Sequence, residues 1–181
     1  MAECIAQDAH VAKMPFQDRY RTGVVATYDA SERVTRDALE DRIKRYNLGK
    51  KRKQGGYWYY HNVSWPEMSG TKVDLYFDVN SRNGKSVVNM MVSPEFGYFA
   101  TPSSDPLTID GMKLFLNRFK TDLIAWQEKL TFEEQQRAAE EVNKAAEKVA
   151  RRKKKADKEA ERKMKKAEES QRKHNKRRLA E

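Results

Sequence analysis

"KVDLYFDVNSRNGKSVVNMMVS", Lys72 to Ser93, is the stretch on which the fold turns. In its first half Val73, Leu75, Phe77 and Val79 alternate with Asp74, Tyr76 and Asp78, the period of two expected of a strand with one buried face. Its second half, "KSVVNMMVS", is apolar and β-branched. Between them Asn83-Gly84 supplies the residue types that tolerate positive φ at both central positions of a type I′ turn. The stretch therefore predicts a β-hairpin, with the first set of residues directed to a core and Asp74, Tyr76 and Asp78 to solvent.

Working upstream, "YWYYHNVSW" (Tyr57 to Trp65) predicts another strand. Strict alternation puts Tyr57, Tyr59, His61, Val63 and Trp65 on one face and Trp58, Tyr60, Asn62 and Ser64 on the other. The basic "GKKRKQGG" before it has two glycines and no apolar anchor, so it reads as a loop. In "DASERVTRDALEDRIKRY" the period changes: Val34, Ala38, Ile43 and Tyr46 share a helical stripe, and Asp29 with Glu32 makes a capping box. The helix is expected to stop near Asn47 to Gly49. Ahead of it, "YRTGVVATY" (Tyr20 to Tyr28) is β-branched and predicts a strand.

Downstream, Asp105 and Pro106 suit the N-cap and first position of a helix. Met112, Phe115, Leu116, Phe119, Leu123, Trp126 and Leu130 then recur at threes and fours, a stripe wide enough to cover one face of a sheet. The order strand, helix, three strands, long helix predicts an α+β fold, a two-layer sandwich with an antiparallel sheet on one side. The domain is read over residues 20–130, after a polar N-terminal arm, 1–19, and before a charged, basic helix or weak coiled coil, 131–181.

Charge divides the same way. The chain of 181 residues carries a net +10. Residues 1–130 hold 19 basic and 16 acidic side chains, or +3, and residues 131–181 hold 18 and 11, or +7. Any attraction to a polyanion should therefore concentrate in the tail. With Cys4 as the one cysteine, neither an intramolecular disulfide nor a multi-cysteine metal site can form. No apolar run is long enough to cross a bilayer as a helix. The N-terminus lacks the basic and apolar regions of a signal peptide, yet "CIAQ" before Asp8 reads like the last residues ahead of a cleavage site. Localisation is accordingly periplasmic or secreted if that segment is the remnant of a signal, and cytoplasmic otherwise.

The run "ALEDRIKRY", "VDLYFDV", "GKSVVNMMVS" and "FLNRFKTDLIAW", passing into a Lys-, Glu- and Ala-rich helix, resembles a group of uncharacterised secreted or envelope proteins of Gram-negative bacteria. The likeness spans about residues 20 to 130 and rests on pattern. It implies an exported protein and supplies no catalytic signature.

The residues themselves offer little chemistry. His10, His61 and His174 are too scattered for a metal site. Four residues of strand hold Asp74 and Asp78 roughly 13 Å apart, too far for paired glycosidase carboxylates, and they read as a solvated face. No phosphate-binding glycine loop, nucleophile elbow, H-E-x-x-H or C-x-x-C is present, so the chain reads as non-enzymatic and without a cofactor. Aromatics on a sheet can stack bases, but "KQGGYWYY" does not match the RNA-recognition pattern and the acids beside it would repel phosphates.

The tail admits two roles. Glu133-Arg137, Glu140-Lys144, Glu147-Arg151, Glu159-Lys163, Glu161-Lys165, Glu168-Arg172 and Glu169-Lys173 are i,i+4 pairs in the favourable order, and they predict a helix that stands in water. Its apolar stripe, Ala138, Val142, Ala145, Val149, Ala156, Ala160, Met164 and Ala167, is mostly alanine, so self-association should be weak and the chain a monomer or weak homo-oligomer. Thr131 and Glu134 form a second capping box, which leaves open whether the long helix is continuous there or kinks or restarts. Such a helix serves as a spacer or a surface for a protein partner. Alternatively, Arg151, Arg152, Lys153, Lys154 and Lys155, with Arg172, Lys173, Lys176, Arg177 and Arg178, hold an anionic polymer or membrane surface, as in a cytoplasmic protein bound nonspecifically to nucleic acid.

Overall fold

A strand presents side chains to both of its faces, and the architecture follows from how each face is covered. The computed structural model describes the backbone of residues 7–95 and 97–178, and side chains within 8–95, 97–155, 158 and 162–166. The elements are β1 (Gln7–Phe16), β2 (Arg19–Tyr28), α1 (Glu32–Arg45), β3 (Arg52–Gln54), β4 (Tyr57–Ser64), β5 (Lys72–Arg82), β6 (Lys85–Ser93) and α2 (Pro106–Arg178). The strands form a six-stranded sheet in the order β1-β2-β6-β5-β4-β3, antiparallel at every junction. The fold is α+β. Contacts divide the chain into a unit ending at Lys129 and a second beginning at Leu130.

The β5–β6 hairpin is as its sequence predicts. Arg82 faces Lys85 and the register runs without slip to Asp74 opposite Ser93, across a turn with φ of 53° at Asn83 and 75° at Gly84. Val73, Leu75, Phe77 and Val79 enter the main core. There they meet Met112, Phe115, Leu116, Phe119 and Leu123 of α2, all buried, while Trp126 is partly buried at the margin. Phe119 stands edge-on to Tyr28 at 5.3 Å and Phe115 edge-on to Trp65 at 4.7 Å, arrangements that aromatic quadrupoles favour. Tyr28 donates to the Leu116 carbonyl at 2.6 Å. Arg42 of α1 lies over the Phe115 ring and pairs with Asp122, tying the two helices together.

Several local expectations are corrected. Residues 7–16 are not a polar arm: they form β1, an edge strand antiparallel to β2. The "GKKRKQGG" segment is not wholly a loop, because Arg52–Gln54 pair with Tyr57–Tyr59 and Gly55-Gly56, at φ 57° and 89°, make the two-residue turn between them. The α1 cap is Ser31, whose Oγ accepts from Val34 N–H, and Glu32 instead pairs with Arg36. The buried face of α1 is Thr35, Ala38, Leu39, Arg42 and Ile43, with Val34 and Tyr46 partly buried at its edges. For α2, Asp105 caps as predicted, accepting from Thr108 N–H at 3.1 Å. Helical structure is unbroken at Thr131 to Glu134, which settles the alternative that the second capping box left open.

The largest correction concerns the second face of the sheet. Met14, Phe16, Tyr57, Tyr59, Tyr76 and Met91 form a separate buried cluster, with Phe99 packed against it. Phe16 lies 5.1 Å from Tyr76 and 5.8 Å from Tyr57, although β1 and β4 are far apart in strand order. Because β2 pairs with β6 only over Val24–Tyr28, the end of the β1–β2 hairpin is free to fold back across the outer face. Tyr57 fastens it by donating to the Pro15 carbonyl at 3.1 Å. The crossing is tight at Gly23: a Cβ there would sit 2.1 Å from Met14 Cε and 2.4 Å from the Met90 carbonyl oxygen.

Two expected outcomes follow from this packing. Phe119→Ala should cost about 3 to 5 kcal/mol in urea unfolding, and Leu107→Ala, exposed on the same helix, about 0.5 kcal/mol or less. Gly23→Ala should destabilise by about 1 to 3 kcal/mol, because the Met90 carbonyl cannot withdraw without moving the sheet; a neutral result would mean that the hairpin does not cross there.

Candidate functional site

Arg151 to Lys155 lie on α2 and are exposed. Five consecutive helical residues are set about 100° apart around the axis, so their charges encircle the helix and do not form one face. Arg172, Lys173, Lys176, Arg177 and Arg178 are helical in backbone, but their side chains, like that of His174, lie outside the described residues. Cys4, and the cleavage-site reading around it, also lies outside them. Of the predicted pairs, Glu140–Lys144 is closed at 3.6 Å. Among the described residues, Arg151 to Lys155 are therefore not gathered into one face.

The outer face of the sheet does gather polar groups. In β4 the register slips between Tyr60 and Val63, and Asn62 has a φ of 53°, the signature of a bulge. Past the bulge the faces exchange. Trp58 and Tyr60 join Val63 and Trp65 in the main core, while Tyr57 and Tyr59 face outward into the second cluster. Strict alternation had divided these residues differently.

Asp74 completes the bulge. Far from being solvated, it is buried at 6% exposure. Its Oδ1 accepts from the Asn62 backbone N–H at 2.8 Å, and its Oδ2 accepts from the Tyr59 hydroxyl at 3.1 Å. His61 Nδ1 lies 2.8 Å from both Asp74 Oδ1 and the Tyr59 hydroxyl. With Tyr59 donating to the carboxylate, His61 Nδ1 is placed to donate to Asp74 Oδ1. The ring is 57% exposed, not the half-buried strand residue that its aromatic neighbours suggest. An aspartate holding one histidine nitrogen is half of a general-base arrangement. The hydroxyl that reaches His61 is that of Tyr59, on the same nitrogen as Asp74, and among the described residues no serine, threonine or cysteine is hydrogen-bonded to the ring. The same bonds account for the strand irregularity, supplying an acceptor for the N–H that the bulge removes from the ladder.

Burial governs the phenols. It pushes Tyr57 up to about 12, with the nearby Asp78 charge adding to it, and Tyr60 up to about 12, with Glu40 adding. Tyr59 is raised first by burial and then by its hydrogen bond to Asp74. Tyr28 and Tyr76 are raised further, chiefly by burial.

Two open clefts lie on this face. One, of about 520 Å³, is bounded by His10, Arg82, Asn83 and Lys85 over Val25, Thr27 and Val87. The other, of about 450 Å³, runs beside the folded-back hairpin and includes Tyr57, Asp78, Asn80 and Asn89. Asp78, read from the sequence as solvated, lines this second cleft, with its Oδ2 accepting from the Asn80 amide at 2.5 Å. Among the described residues no cluster of three or more His, Cys, Asp or Glu could hold a metal ion, and no helix is long and apolar enough to cross a membrane. No protein-family model, curated protein or solved structure matches the chain.

Asp74→Ala should cost about 1 to 3 kcal/mol in chemical unfolding, because it leaves the Asn62 N–H and the Tyr59 hydroxyl without an acceptor, and Asp74→Asn should recover part of that. For pH, the fold favours the neutral phenols of Tyr57 and Tyr60. Their contribution is complete below the ordinary phenol value of about 10 and is lost as pH rises through about 12. Urea midpoints should therefore fall from about pH 10 upward; a midpoint flat across that window would contradict burial of these rings.

Proposed function

We propose that the protein is a non-enzymatic envelope or secreted protein whose C-terminal helix acts as a spacer or as the surface that meets a protein partner. The observation that carries this reading is the exposure of that helix. From Glu134 to Lys155 every residue is exposed. Its larger apolar side chains, Phe132, Val142, Val149 and Met164, are 60 to 67% exposed. A helix held by tertiary packing would bury such residues. One without that support must rely on propensity and i,i+4 pairing, both abundant in this Gly- and Pro-free segment. The export assignment rests on the resemblance of residues 20 to 130 to secreted and envelope proteins.

Two features favour a protein partner over a polyanion. The Arg151–Lys155 charges encircle the helix, and Asp157, Glu159 and Glu161 interrupt the run that follows. An alanine-rich stripe also buries too little for a stable homodimer, leaving the apolar positions to a different partner or to none.

A peptide of residues 131–181 tests the reading. It should be substantially helical in dilute buffer by circular dichroism, lose helicity modestly with added salt and sediment as a monomer at micromolar concentration. A peptide that is disordered alone and becomes helical only on adding DNA, RNA or anionic vesicles would favour the nucleic-acid or membrane-binding reading.

A further inference from the structure

We propose that the cleft between His10 and the β5–β6 turn is a binding site for a small amphipathic anion, a carboxylate or phosphate ester on an apolar alkyl or aryl body. This site is independent of the C-terminal helix and of the role proposed for it.

The cleft is built by register. Alternation along β2, β5 and β6 puts Val25, Thr27, Arg82, Lys85 and Val87 on the outer face, and His10, opposite Val25, brings β1 to the same row. The floor is therefore two valines and a threonine methyl. The rim carries two permanent cations and an imidazole, and no carboxylate lines the space. Its volume of about 520 Å³ falls within the range of small-molecule sites, roughly 300 to 1,000 Å³.

Charge gives the site its sign. Arg82 and Lys85 are direct cross-strand partners, and like charges placed opposite each other destabilise a hairpin. The arginines of α1 are matched: Arg33, Arg36, Arg42 and Arg45 each face an acid. Among the described residues Arg82, Lys85 and His10 have no carboxylate partner. A bound anion would relieve the repulsion, and the apolar floor would hold the body to which the anion is attached. Asp78 lies in the adjoining cleft with its Oδ2 engaged by Asn80, and Asp8, two residues before His10, does not line the space. An anionic head is thus repelled from that side and attracted to the turn, which sets the ligand's direction.

The test uses the full-length chain, isotope-labelled for amide NMR, titrated with decanoate and with decyl phosphate below their micelle-forming concentrations, and with decanol and inorganic phosphate as references. Both amphipathic anions should shift amides of Val25, Thr27, Lys85 and Val87, and saturate, with whichever binds tighter identifying the preferred head group. Decanol and inorganic phosphate should each bind at least about tenfold more weakly, because each lacks one half of the recognition. The variant R82Q/K85Q should lose at least about tenfold in affinity with no loss of thermal stability, since it also removes the cross-strand repulsion, while K153Q/K154Q, which removes the same charge from the helix, should bind normally. Shifts confined to the helix beyond Leu130, equal binding of inorganic phosphate or decanol, or equal weakening by the two variants would overturn the proposal. The shift map on the unaltered chain decides the matter even if R82Q/K85Q fails to fold.

Discussion

The alternation of side chains along a strand is the constraint on which this structure depends. A sheet with one apolar face needs one cover, and α1 with the first turns of α2 provides it. β4 and β5 do not have one apolar face. "YWYY" in β4 and "LYF" in β5 place aromatics on both sides, so a second cover is required. The β1–β2 hairpin meets that requirement by folding back at Gly23 so that Met14 and Phe16 lie on Tyr76 and Tyr57. Without that fold the outer tyrosines would form an exposed aromatic patch of the kind that promotes association.

The β4 bulge resolves a related conflict. Tyr57 and Tyr59 must face the hairpin, whereas Val63 and Trp65 must face the helices. The two pairs lie an even number of residues apart, so uninterrupted pleating would put all four on one side. One extra residue reverses the faces. The cost is an N–H withdrawn from the ladder and a positive φ at Asn62, a residue type that tolerates it. Asp74, on the neighbouring strand, offsets that cost by accepting the displaced N–H. The acid is therefore buried because of a packing requirement several residues away.

This explains which features could be read from the chain. The β5–β6 hairpin and the stripe of α2 are local: turn chemistry and side-chain period fall within one window, and neither depends on the rest of the chain. β1 is different. "QDAHVAKMPF" lacks clean alternation and contains Pro15, so its strand character comes from pairing with β2 and from the outer face it covers. The bulge leaves only a faint mark, the polar pair His61-Asn62 after four aromatics. In β3 the two glycines that suggested a loop instead make a turn, since a residue able to adopt positive φ serves either purpose. The absence of polar alternation in "YWYY" was the available sign that both faces are buried. Of the candidate sites, the basic run was conspicuous in sequence yet is spread around a helix. The cleft near Arg82 and Lys85 draws on four strands, and its residues span positions 10 to 87, so no local window could contain it.

Charge separates the two surfaces more sharply than composition alone. On the α-helical side of the domain, arginines sit beside acids: Arg42 and Arg45 share Asp122, and Lys51 reaches Glu40. Those cations have been neutralised by the fold and are unavailable to a ligand without breaking existing pairs. At the β5–β6 turn the cations are held close together by strand register and are not neutralised. On the C-terminal helix they are numerous but radially dispersed. A dispersed charge attracts any polyanion weakly and without orientation, whereas a pair fixed at the end of an apolar floor can select a ligand by shape as well as sign. Specific recognition is therefore better sought on the sheet, and long-range, salt-sensitive attraction on the helix.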